Sequence, residues 1–274
     1  MRYLPDRSRT ARMTTAELRD AFLVADLFRP GEVTLRFIDL DRVVLGGIVP
    51  TDAPLTLVAT PAMAADHFTD RRELGLLNIG DAGAITVDGT RYAMAHRDLL
   101  YVGRGAGDIA LASDDGSSPA RYYLVSYPSH AEHATAHVAR AGAEGEDLGT
   151  GEGASRRRLI KYVHPDGIRS GQLVMGITEV QDGSVWNTMP CHTHARRTEV
   201  YLYFGVSDEA VVFHLMGEPD ETRHLVVRDA QAVLSPGWSV HAGAGTGSYA
   251  FCWAMGGENQ DFGDMQGVAM ADLL

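Results

Sequence analysis

Cysteine is scarce: the chain has two, Cys191 and Cys252, in 274 residues. They cannot build a disulfide framework, and a reducing cytoplasm is the simpler reading. No apolar run approaches the roughly 20 residues that span a membrane. The start, Met1-Arg2-Tyr3-Leu4-Pro5-Asp6-Arg7, has no apolar core after its charges and does not read as a signal peptide. Basic residues are in deficit, 24 Lys and Arg against 36 Asp and Glu, for a formal net charge of −12. That argues against nucleic acid and anionic membranes as partners, and an anionic substrate would need a local basic cluster.

Helical periodicity is nearly as scarce. One stretch, residues 14–29, reads as a helix: Thr14-Thr15-Ala16-Glu17 fits a capping box, and Leu18, Phe22, Leu23, Ala25 and Leu27 supply an apolar face. From Val33 onward the texture is short strands cut by Gly, Pro and Asp, among them 33–38, 42–48, 74–79, 84–92, 99–102 and 121–127. Such spacing indicates an all-β sandwich or barrel. Residues 139–155 are Gly-rich and apolar-poor and read as an exposed linker. Strand texture then resumes to Met255.

The halves look like weak copies. Thr90-Arg91-Tyr92, Arg97-Asp98, Val102 and Gly105 run parallel to Thr222-Arg223-His224, Arg228-Asp229, Val233 and Gly237 at an offset of 131–132 residues. The expected architecture is all-β: a duplicated barrel with a short N-terminal helix. Its expected division is 1–138, a 139–157 linker and 158–274.

Five of the 11 histidines (192, 194, 214, 224 and 241) crowd into the second half between His192 and His241. Strand alternation puts His192 and His194 on one face, about 6–7 Å apart. A turn through Ala195–Thr198 can bring Glu199 beside them. Two imidazoles and a carboxylate are three of the ligands a zinc-like ion takes. His241, after the turn at Pro236-Gly237, is the fourth candidate. His-x-His, Glu, then Pro-Gly-x-x-x-His is the metal pattern of cupin barrels. The first half has no His pair around Arg71-Arg72-Glu73-Leu74, and Asp108 falls near where His241 would repeat. Only the second barrel is expected to bind metal.

Several longer blocks narrow the resemblance: Arg71–Gly80, Gln172–Gly176, Gly183–His194, and Trp253-Ala254-Met255 with Gly257-Glu258-Asn259. They resemble the 5-keto-4-deoxyuronate isomerases (4-deoxy-L-threo-5-hexosulose-uronate ketol-isomerases) over nearly the whole chain. The resemblance implies a bicupin, all-β with duplicated cupin (double-stranded β-helix, jelly-roll) barrels, a homohexamer, and one zinc per chain held by His192, His194, Glu199 and His241. It also implies a ketol-isomerase converting 5-dehydro-4-deoxy-D-glucuronate to 3-deoxy-D-glycero-2,5-hexodiulosonate in pectin and uronate breakdown. Thr198 departs from the pattern without touching a ligand.

The proton shuttle is open among Tyr201, His214, His224 and a metal-bound hydroxide. For the substrate carboxylate the candidate cations are Arg197 and Lys161, then Arg223 and Arg196. His130, His133 and His137 stand at helical spacing but read as a solvated surface, and Cys191 reads as buried packing opposite His192. Competing readings are a 5-deoxyglucuronate isomerase of inositol breakdown, an iron-dependent cupin dioxygenase and a non-enzymatic sugar-binding cupin.

Overall fold

The computed structural model describes residues 1–274. The chain forms two compact units. The first holds Asp26–Ala143 and Tyr162–Val174 with Met1, and the second holds Arg2–Ala25, Glu144–Lys161 and Met175–Leu274. The all-β expectation holds: two short α-helices accompany antiparallel ladders.

The helix is where the sequence places it, but shorter. It runs Thr15–Phe22, with Thr14 as N-cap. The Glu17 amide donates to Thr14 Oγ1, and the Thr14 amide donates to Glu17 Oε2. It stops because Leu23 and Val24 leave the helix and pair as a strand with Val233 and Ala232. The helix therefore belongs to the second unit, although residues 1–138 were expected to form the first barrel.

The first unit has a six-stranded sheet ordered Ala136–Val138, Leu99–Val102, Arg72–Asn78, Tyr122–Pro128, Val44–Ile48 and Val33–Phe37. Facing strands form a four-stranded sheet of Leu55–Thr56, Ile109–Ser113, Gly83–Val87 and Thr90–Met94. Between them lies a core that includes Leu74, Leu76, Ile85, Leu100, Val102, Leu111 and Leu124, all fully buried. The stretch read as one strand over 84–92 is a hairpin, because Asp88 and Gly89 both take positive φ (48° and 80°) and turn the chain. The segment Tyr162–Val174 is held to this unit by buried Glu73. Its carboxylate accepts the amides of Gly171, Gln172 and Leu173 at 2.5–2.8 Å and the hydroxyl of Tyr101 at 2.6 Å.

In the second unit the central sheet runs Leu23–Val24, Gln231–Ser235, Arg197–Phe204, Ala250–Gly257, Val174–Val180, Arg157–Val163 and Glu146–Leu148. The last strand lies inside the expected linker. Glu146, Asp147 and Leu148 add to the sheet edge opposite Leu159, Arg158 and Arg157. A four-stranded sheet holds Trp186–Asn187, Ala242–Gly245, Val212–Glu218 and Glu221–Val227. His192–Thr193 pairs with Gln266–Gly267 near the chain's end.

The internal repeat is also visible, slightly shifted from the sequence offset. Arg97 (φ 68°) and Ala230 (φ 57°) are the turn residues before Leu99–Val102 and Gln231–Ser235, 133 positions apart. At that offset Val102 corresponds to Ser235, not to Val233.

Candidate metal centre and its cavity

Glu199 lies on the strand Arg197–Phe204, opposite Ser235 on one side and Met255 on the other. Alternation sends Arg197, Glu199, Tyr201 and Tyr203 to one face. His192 and His194 come from the short segment before this strand, and His241 ends the turn after Gln231–Ser235. Gly237 makes this approach possible. The His194 amide donates to the Gly237 carbonyl at 3.2 Å. A Cβ on Gly237 would lie 2.5 Å from the His194 carbonyl oxygen.

The ligand atoms of His192, His194, Glu199 and His241 all lie within 4.8 Å of one another. His192 Nε2 is 3.2 Å from His194 Nε2 and 3.0 Å from His241 Nε2. Glu199 Oε2 is 3.2 Å from His194 Nε2 and 2.9 Å from His241 Nε2. The opposite ring nitrogens are engaged elsewhere. His194 Nδ1 is 2.9 Å from the Asp264 carbonyl oxygen, which only accepts, so Nδ1 carries the proton and Nε2 presents a lone pair to the cluster. His241 Nδ1 faces Ser235 Oγ at 3.3 Å.

Lone pairs and a carboxylate facing each other repel unless a cation sits among them. A tetrahedral ion with bonds of about 2.0–2.1 Å spaces its ligands about 3.3 Å apart, close to the distances here. The residues present fit a divalent ion, and the cluster can hold one. Burial, then the charge on His241, pushes His192 down to about 3, keeping that ring neutral. Burial alone would raise Glu199, but His241 and His194 beside it outweigh that and hold it below the ordinary carboxylate range.

This cluster forms one wall of a cavity of about 230 Å³. Tyr201, Thr188, Phe251, Trp253 and Met255 contribute other walls. The Tyr201 hydroxyl is 3.2 Å from Thr188 Oγ1, and burial raises Tyr201 well above the usual phenol value.

The other candidates separate. Lys161 Nζ sits 4.3 Å from the ring centroid of Phe262, itself a wall of the cavity. Arg197 is buried and does not line the cavity: its Nη2 donates to the Asp264 carbonyl at 3.1 Å and lies 3.4 Å from His194 Nδ1. Arg196 pairs with Asp264 at 3.3 Å. His214 is buried behind the cavity, with Nδ1 2.7 Å from the Tyr203 hydroxyl. His224 is exposed and contacts the Phe213 ring, because alternation on Glu221–Val227 turns Leu225 and Val227 inward instead. Arg223 donates to the Ala11 carbonyl in the N-terminal segment. His224 and Arg223 are therefore not at the cavity. Cys191 packs against Val240 and Ala242, as alternation implies. The stretch with His130, His133 and His137 contains no helix, and His137 meets Asp98 at 3.3 Å.

Sequence reasoning missed Arg157, a cavity-lining cation partly withdrawn from water. Its Nη1 donates to the Ser155 carbonyl, and burial lowers its pKa. A signal was present: alternation puts Arg157, Leu159 and Lys161 on one strand face. Leu148, a cavity wall from the supposed linker, and Asp264, which orients His194, left no comparable trace in the sequence.

Comparison with known proteins follows the same lines. Residues 53–268 match the KduI/IolB family. A 4-deoxy-L-threo-5-hexosulose-uronate ketol-isomerase from Opitutus terrae is 50% identical over 274 residues, covering 100% of this chain and 99% of that protein. One from Kineococcus radiotolerans is 51% identical over 275 residues, covering 99% of each. Among solved structures, an IolB-like protein from Salmonella typhimurium superposes with a TM-score of 0.72 at 11% identity, covering 90% of this chain and 96% of that one. The oxalate decarboxylase formate complex of Lactobacillus farciminis gives 0.58 at 10% identity over 89% of each chain. These two likenesses show the all-β bicupin fold. The full-length identity shows more: this chain belongs to the KduI/IolB family.

Proposed function

We propose that this protein is a metal-dependent 4-deoxy-L-threo-5-hexosulose-uronate ketol-isomerase, converting 5-dehydro-4-deoxy-D-glucuronate to 3-deoxy-D-glycero-2,5-hexodiulosonate. The carrying observation is full-length identity of 45–51% to proteins of that name. The cavity's chemistry agrees. The 11% identity to the IolB-like structure speaks for the fold alone, so the 5-deoxyglucuronate reading lacks comparable support.

The reaction moves a carbonyl from C1 to C2, so a proton leaves the carbon between carbonyl and hydroxyl and another arrives at its neighbour. His192, His194, Glu199 and His241 would hold a divalent ion, which when bound would supply Lewis acidity to the reaction. Zinc suits the donor set and does no redox chemistry of its own. Arg157 and Lys161 hold the substrate carboxylate, Arg157 with a fork that matches its two oxygens. Arg197, ranked with Lys161 from sequence, is a positioning residue: it donates to the Asp264 carbonyl, the acceptor that fixes the His194 ring. Phe251, Trp253 and Met255 exclude water. Tyr201 Oη keeps its proton and donates to the oxyanion that develops on the substrate, while His214 stays neutral behind it. Glu199, committed to the cluster, is a poor base. The assembly is read as a cytoplasmic homohexamer, in line with the resemblance.

Incubation of the protein with 5-dehydro-4-deoxy-D-glucuronate, followed by NMR, should show the 2,5-diketo product. Conversion of 5-deoxyglucuronate instead would favour the inositol-pathway reading. Stoichiometric iron with oxygen uptake would replace isomerisation by a dioxygenase.

A further inference from the structure

The first unit has a cavity of about 410 Å³, larger than the one beside the histidine cluster. Four of its lining residues are arginines: Arg42, Arg71, Arg72 and Arg104. His130 also lines it, and no carboxylate residue does. In a chain of net charge −12, such a concentration of positive charge stands out against the overall field.

The guanidiniums are oriented without being neutralised. Arg72 is 9% exposed; its Nε donates to Ser126 Oγ at 3.1 Å, and its Nη2 donates to the carbonyls of Arg42 at 2.7 Å and Ser126 at 2.8 Å. Arg104 donates from Nε to the Asp70 carbonyl and from Nη1 to the His130 carbonyl, at 3.1 and 2.9 Å. All these acceptors are neutral oxygens. The nearby Asp70 carboxylate is turned to the amides of Asp66 and His67. Burial, then the charge of Arg42, pushes Arg72 down to about 10, which marks the cost of crowding unpaired cations here. Phe37, Met63 and Phe68 give the same cavity an apolar wall. Clustered guanidinium forks over an apolar wall match an organic molecule with a charged head, since each fork can grip a carboxylate or phosphate through two parallel bonds.

We propose that this cavity is a binding site for a small, sugar-sized organic anion carrying at least two negative charges, separate from the cluster of the second unit. Arg72 and Arg104 form its fixed base, and Arg42 and Arg71 close over the charged head from the exposed side.

The test is calorimetric titration of the whole protein with 6-phosphogluconate, citrate and inorganic phosphate, together with crystals soaked in tungstate. Saturable binding of one 6-phosphogluconate or citrate per chain is expected. Inorganic phosphate should bind at least tenfold more weakly, because it leaves the apolar wall uncovered. The double variant R42N/R71Q should weaken the organic anions at least tenfold, and R157Q should leave them unchanged. Arg42 and Arg71 are exposed, so their replacement leaves the core intact, and Asn tolerates the positive φ of 56° at position 42. Tungstate in wild-type crystals should lie against Arg72 and Arg104, a readout that needs no variant. The proposal is overturned if no organic probe saturates, if binding survives R42N/R71Q, if it is lost in R157Q, or if tungstate avoids the cavity. A drop in oligomer size for R42N/R71Q without any anion binding also overturns it, since the arginines would then serve contact with a second copy.

Discussion

The two units carry the same central strand and fill it differently. In the first, Leu74 pairs with Val102 and Ser126, and Leu76 with Leu100 and Leu124. In the second, Glu199 pairs with Ser235 and Met255, and Tyr201 with Val233 and Trp253. Aligned by register, Arg72 matches Arg197, Leu74 matches Glu199 and Leu76 matches Tyr201. By the same count His67 and Thr69 fall at His192 and His194, and at the 133-residue offset of the pairing strands, Val102 against Ser235, Asp108 falls at His241. The first unit thus keeps a histidine and an arginine pair but has leucine where the carboxylate would stand. One barrel fills its interior with apolar packing and the other with a polar cluster able to hold a metal ion. Three of the four ligand positions differ, and a carboxylate buried at the strand position is tolerated only with such partners.

The comparison can be broken most directly at the cluster. His194→Ala should lower kcat/KM by at least a thousandfold, about 4 kcal/mol of transition-state stabilisation, and bound divalent metal should fall with it in elemental analysis. Retained turnover would mean that the polar barrel is no more chemical than the apolar one. The converse change, Leu74→Glu, puts a carboxylate into the first core without three imidazoles around it. It should cost roughly 3 kcal/mol or more in urea unfolding and create no metal site. Unchanged stability would show that the first interior is not the closed apolar core described.

A smaller effect sharpens the division of labour within the second cavity. Arg157→Gln should raise KM about tenfold or more while moving kcat less, as expected for a lost carboxylate clamp. Lys161→Gln should do the same more weakly. The smallest effect concerns pH. His214, buried with Nδ1 on the Tyr203 hydroxyl, is pushed down to about 3 by burial and then by His241, with Glu199 opposing. Unfolded chains take up a proton there below about 6.5, and the folded protein does not until near 3. Stability attributable to this site is therefore intact above 6.5 and is lost as pH falls toward 3, by up to ~1.4 kcal/mol per pH unit. His214→Gln should flatten that slope in urea melts between pH 4.5 and 6.5. The buried histidines, His194, His214 and His241, all belong to the second unit.

Much was legible beforehand because it is local. The capping box at Thr14 and Glu17, the alternation across Glu199–Tyr203 and the order His-x-His, Glu, Pro-Gly, His are statements about neighbours along the chain. They led to the all-β class and the four converging side chains. His224 and Arg223 illustrate the limit. Their residue types suit a site, but neighbours on a strand point to opposite faces, and where each face leads is set only when the strand pairs with Val212–Glu218.

By itself, then, the sequence determined the strand-rich texture, the duplicated plan and the identity of the cluster, since periodicity and spacing depend on covalent geometry. Only the tertiary structure decided that Arg157 lines the cavity while Arg197 is buried beside His194. It also decided that four arginines of the first unit, from three separate stretches of the chain, meet around one cavity. Burial and charge pairing are properties of which surfaces meet, and long-range sheet pairing sets those.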